Sequence, residues 1–132
     1  MAFGSLLHTI EDSFSEAHVA REKPTLDKVC GTDQDFKAPG RITAFYAYNR
    51  QSGALHKAKD QLATAEEQLQ DSVSVVTVGA KVLELLRNGK QWESVAPIFE
   101  CIFNIVDGSV KAGPGPFEAK PVTVNLGPLT GR

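Results

Sequence analysis

The sequence predicts an all-α protein, a bundle of four to five helices with an extended Pro/Gly-rich C-terminal arm, on three observations. Leu55, Ala58, Leu62, Ala65, Leu69, Ser72, Val76, Gly79, Leu83 and Leu86 recur at alternating steps of three and four, the period of one helix face. Residues 3–22 carry Phe3, Leu6, Leu7, Ile10, Phe14 and Ala17 at the same spacing. The segment "VAPIFECIFNIV" at 95–106 is apolar on nearly its whole circumference, as a buried central helix is. At 132 residues, 42% hydrophobic and 23% charged, the chain is one soluble domain's length and composition.

Taken in order, the first helix spans 3–22 and is ended by Pro24. "TLDKVCG" reads as a short helix with Thr25 as N-cap and Gly31 as its stop, and "TDQDFKAPG" reads as loop. "RITAFYAYNR" fits a helix through Ile42, Phe45, Tyr46 and Asn49 and a strand through its β-branched and aromatic content; the helical context favours helix. The long stripe implies a helix over about 54–87, either unbroken or broken near 71–77 where Ser, Thr and Val lower helix propensity. Unbroken, it measures about 50 Å at 1.5 Å per residue. Asn88 and Gly89 supply its stop. Residues 90–107 form the last helix, with Pro97 tolerable where a helix begins near Ser94 or as a kink; Ile102 and Phe103 are expected to be nearly fully buried. From 109 to 132 prolines and glycines replace helix formers, so the organisation is a helical domain over 1–108 followed by an arm or linker.

Composition excludes more than it identifies. A net charge of −2, from 14 basic and 16 acidic residues, gives no electrostatic footprint for nucleic acid. No run approaches the ~20 apolar residues of a transmembrane helix. Cys30 and Cys101 lie far apart without a neighbouring Cys or His, and the opening "MAFGSLLHTIEDSF" lacks a basic n-region, so both are expected to be reduced thiols in a cytoplasmic protein.

Candidate chemistry is sparse. His8, Glu11, Asp12, Ser15, His18 and Glu22 share the polar side of the first predicted helix, with His8–Asp12 and His18–Glu22 at i,i+4; His56–Asp60 repeats the pattern. Two histidines ten positions apart diverge around one helix and HExxH spacing is absent, so these read as solvated charged faces and no metal site is assigned. Asp33 and Asp35 open like a calcium loop but lack its later Gly and Glu. Cys101 reads as core rather than nucleophile, phosphate-loop motifs are missing, and Trp92, Phe99 and Phe103 read as core aromatics. No catalytic residue and no cofactor is assigned.

The resulting expectation is a non-catalytic interaction or assembly module that self-associates as a homo-oligomer through the long helix, with Leu62, Leu69, Val73, Val76 and Leu83 at the interface. The alternative is an N-terminal signalling or membrane-active helical domain of a larger protein, in peripheral contact with a membrane. A small apolar-ligand carrier or enzyme stands third.

Overall fold

A computed structural model describes residues 3–25, 27–31, 36–61, 73–113 and 115. Among them the architecture is mixed α/β, which overturns the all-α expectation: four α-helices pack with two small antiparallel sheets. In chain order these are α1 (Phe3–Asp12), β1 (Val19–Arg21), β2 (Val29–Cys30), β3 (Phe36–Lys37), β4 (Ile42–Phe45), a single 3₁₀ turn (Tyr48–Arg50), α2 (Gly53–Lys59), α3 (Val75–Arg87) and α4 (Trp92–Ile102).

The first helix stops ten residues short of its expected end because serine competes for the backbone. Ser13 Oγ donates to Ile10 O at 2.7 Å, and the amides of Phe14 and Ser15 reach back only three residues, to Glu11 O and Asp12 O. The chain then turns into β1 while Phe14 and Ala17 stay buried, so the apolar spacing survives without the helix.

β1 pairs antiparallel with β4 (Val19↔Phe45, Ala20↔Ala44, Arg21↔Ile42), with a bulge between Ala20 and Arg21. The segment "RITAFYAYNR" therefore resolves as strand at its start, because β1, brought alongside by the turn after α1, supplies a partner strand for its β-branched and aromatic residues. The other edge of β4 is taken by the chain after α4. Ile42 N donates to Asn104 O at 2.7 Å, Val106 N to Ile42 O at 2.9 Å and Gly113 N to Phe45 O at 3.0 Å. Gly113 and Gly115, at the start of the expected arm, thus lie on the domain; Gly115 adopts φ 70°, where a Cβ would meet the Tyr46 ring at 2.7 Å. Residues 116–132 lie outside the described residues.

The expected helix at Thr25–Gly31 is a turn, Lys28 N to Thr25 O, leading into β2, which pairs with β3 (Val29↔Lys37, Cys30↔Phe36). Cys30 and Cys101 form a disulfide with a Cα–Cα distance of 5.6 Å, joining β2 to α4 and correcting the reading of two free thiols. Asp33 and Asp35 lie outside the described residues.

The long helix is not continuous. α2 ends at Lys59, with Asp60 closing it, and α3 starts afresh at Val75 behind Ser74, whose extended backbone and side chain, accepting from Val76 N, make an ordinary N-cap. This second boundary falls in the window 71–77 where Ser, Thr and Val lower helix propensity; the first, after Lys59, falls outside it. At its far end α3 closes with Lys90 N to Leu85 O and Gly89 N to Leu86 O, the paired bonds of a Schellman motif, with Gly89 at φ 62° as the sequence implied.

α3 buries Val75, Val78, Val82 and Leu85, packed with Ile10 and Phe14, with Cys30 and Phe36, and with Val95, Ile98 and Ile102 of α4. α4 runs through Pro97 and shows one buried face rather than an apolar circumference. Ile102 is fully buried, but Phe103 is half-buried and stacks in an outward row with Phe99 (6.1 Å), which stacks in turn on exposed Trp92 (5.7 Å). The expected near-complete burial of Phe103 fails because the helix ends just before it and the following chain turns away to β4.

Arg21 ties these elements together. Its Nε donates to Ser13 O (2.9 Å), Nη1 to Gly40 O (2.7 Å) and Nη2 to Ile102 O (3.0 Å), with the guanidinium 5.0 Å from the Phe14 ring centroid. Two of those acceptors lie at the C-terminal ends of α1 and α4, where helix carbonyls lack intrahelical partners and a positive charge is favoured.

Candidate functional site

The turn out of α1 determines the geometry of the main polar cluster. By leaving the helix at Ser13, the chain brings His18 back beside Asp12 instead of placing it farther along the same face. Ser15 fixes α2 against this turn: its hydroxyl accepts from Ala17 N (3.1 Å) and lies 2.7 Å from Asp60 Oδ1, to which it donates. Gln51 Nε2 donates to Ala17 O at 2.6 Å, anchoring the approach to α2.

Around Asp60 the donor atoms converge. His18 Nε2 is 3.3 Å from Asp60 Oδ1 and 3.5 Å from Asp12 Oδ1, and His56 Nδ1 is 3.4 Å from Asp60 Oδ2. The His18 and His56 rings meet edge to face at 4.8 Å, and Tyr48 closes on the far side of His56 at 4.7 Å. His56 is 11% exposed, and among the described residues its buried Nε2 has no hydrogen-bond partner. His8, largely exposed, lies 3.5 Å from the other oxygen of Asp12. Beside the cluster Lys59 Nζ pairs with Glu16 at 2.6 Å; burial first, and that carboxylate second, hold the Tyr46 phenol above its ordinary pKa.

Asp12, Asp60 and Ser15 also form the polar end of a groove of about 500 Å³ between α1 and α3, whose apolar walls include Leu7, Val75, Val76 and Leu83. Of the five residues expected at an interface, Leu62 and Leu69 lie outside the described residues and Val73 is buried in the core. Val76 and Leu83 stand on the outer face of α3, 59% and 50% exposed, in line with Leu86 at 46%.

The sequence paired His18 with Glu22, but Glu22 instead receives both Nε and Nη2 of Arg41 at 2.9 Å, and that charge-assisted bond holds its carboxyl below the usual range. The local signal missed by the reading of 3–22 as one helix is the pair of serines at 13 and 15, straddling Phe14, which offer the backbone an exit from the helix. No protein-family model, no curated protein and no solved structure matches the chain.

Proposed function

We propose that the protein is a non-catalytic assembly module that pairs with a second copy of itself through the outer face of α3. One observation carries this reading: Val76, Leu83 and Leu86 form an exposed apolar ridge at helical spacing, alongside the groove between α1 and α3. A ridge flanked by a groove on the same surface suits a two-fold partner, because the ridge of each copy enters the groove of the other. Ala80, small and exposed between the ridge residues, leaves room for a second helix to approach. The flanking charges favour a like partner: Lys81, Glu84 and Arg87 alternate in sign, and a net charge of −2 opposes self-association little.

Among the described residues no helix is long and apolar enough to cross a membrane. The Cys30–Cys101 bond supports an oxidising compartment in place of the cytoplasm expected from the sequence.

Sedimentation of the wild type and of Leu83→Glu tests the pairing. The wild type is expected to dimerise in the micromolar range and the variant to stay monomeric at the same concentration with an unchanged far-UV spectrum. A wild type that is monomeric at high micromolar concentration overturns the reading.

A further inference from the structure

We propose that His18, His56, Asp60 and Asp12 form a binding site for one divalent transition-metal ion, zinc by the chemistry of the donors. His18, His56 and Asp60 each offer a donor atom within 4.8 Å of the others, and Asp12 adds a carboxylate 3.5 Å from His18 Nε2. Donors on a tetrahedron with bonds of ~2.0–2.1 Å stand about 3.3 Å apart. Each nitrogen–oxygen separation is near that edge length and beyond the ~2.7–2.9 Å of a charge-assisted hydrogen bond: His18 Nε2 to Asp60 Oδ1 3.3 Å, His56 Nδ1 to Asp60 Oδ2 3.4 Å and His18 Nε2 to Asp12 Oδ1 3.5 Å. The two histidines face different oxygens of Asp60, so an ion would draw the donors, now within 4.8 Å of one another, inward by a small shift.

Three further features fit the site. Asp60 is held by the Ser15 hydroxyl, the outer hydrogen bond that ligating carboxylates ordinarily receive. The His56 imidazole is packed between Tyr48 and His18, which holds Nδ1, the nitrogen 3.4 Å from Asp60 Oδ2, toward the cluster. Asp12 and Asp60 border the groove, which gives an ion a path from solvent. Two carboxylates and two neutral imidazoles make a charge-balanced shell for a divalent ion. The mixed nitrogen and oxygen set selects zinc and its neighbours over calcium and magnesium, which take oxygen donors.

The site is built within one chain, so it is independent of the proposed pairing. The test is titration of the tag-free, disulfide-intact chain with zinc chloride alone, together with the visible spectrum after cobalt(II) addition. The expected result is one ion per chain and the intense absorption of tetrahedral cobalt. His18→Ala and His56→Ala should each abolish stoichiometric binding, Ser15→Ala should weaken it roughly tenfold, and His8→Ala and Leu83→Glu should leave it intact. Far-UV spectra of the metal-free histidine variants separate loss of the site from loss of the fold. Failure of the wild type to take up zinc, or undiminished uptake by folded His18→Ala/His56→Ala, overturns the proposal; the first result leaves the cluster an ion-pair network and the second places the ion elsewhere.

Discussion

Two residues absent from any sequence motif hold the junction between sheets and helices. Arg21 is a partly buried cation facing three carbonyl oxygens from three parts of the chain. Burial lowers its pKa to about 10, so it is charged at neutral pH, and its desolvation cost is relieved only as pH rises through that value. Replacing it by Met strands those acceptors, and chemical denaturation should show a loss on the order of 3 kcal/mol; Lys, a point charge unable to reach all three carbonyls, should fall between Met and wild type. Gly40, one of the three acceptors, packs so closely on β1's exit that a Cβ would stand 1.7 Å from Glu22 O. Gly40→Ala must move backbone rather than a side-chain tip, and a destabilisation of about 3 kcal/mol is expected in the same assay. The nearby Glu22–Arg41 pair is exposed, so its effect on stability should be small. Its sign is fixed by the lowered Glu22 pKa: the contribution is present above the ordinary carboxylate range and is lost as pH falls through the folded value.

At the scale of elements, α3 shows where periodicity stops being decisive. The sequence carries two parallel stripes, Val76–Gly79–Leu83–Leu86 and Val75–Val78–Val82–Leu85, each with helical spacing. Spacing predicts a helix from either one but does not say which faces inward. The second does, because α1, the β2–β3 hairpin and α4 close over it. Adjacent residues should therefore respond differently. Val82→Ala, opening a fully buried site, should cost about 2 kcal/mol, while Leu83→Ala should change stability by less than ~0.5 kcal/mol. Equal losses in urea titrations would place the helix in the wrong rotation. The stop at Asn88 and Gly89 was legible because a Schellman ending is local chemistry, written in the last turn itself. Strand β4 was not, because its partners Val19, Ala20, Ile105 and Gly113 come from distant parts of the chain. The His–Asp cluster was half legible for the same reason. His56 on α2 and Asp60 at its C-cap lie four apart, whereas His18 joins them only through the turn at Ser13 and Ser15.

For the whole molecule, the decisive long-range feature is the bond between Cys30 and Cys101, which no local pattern announces. Composition points to thiols, since secreted disulfide domains are usually richer in cysteine, but the bond joins two elements, β2 and α4, that are far apart in the chain. Cys30 ends β2, on a hairpin of two-residue strands with little hydrogen bonding of its own. Cys101 lies one residue before the end of α4, where Ile102 O receives Arg21. The bond thus holds a weak hairpin over the buried face of α3 and beside the last turn of α4. With a sequence separation of 71 between its ends, it removes chain entropy from the unfolded state worth about 4 kcal/mol in the loop-closure model. That is a large share of the ~5–15 kcal/mol by which domains are stable. Under denaturing, non-reducing conditions the cysteines should resist alkylation, and both should react once reductant is added. Cys30→Ser/Cys101→Ser should lose about 2–4 kcal/mol in urea, with the amides of β2 and β3 losing hydrogen-exchange protection before those of α3. Free thiols in the chain purified from an oxidising compartment would refute the bond. A double-serine variant as stable as wild type would instead show that the hairpin is held by Phe36 and Ala38 packing alone.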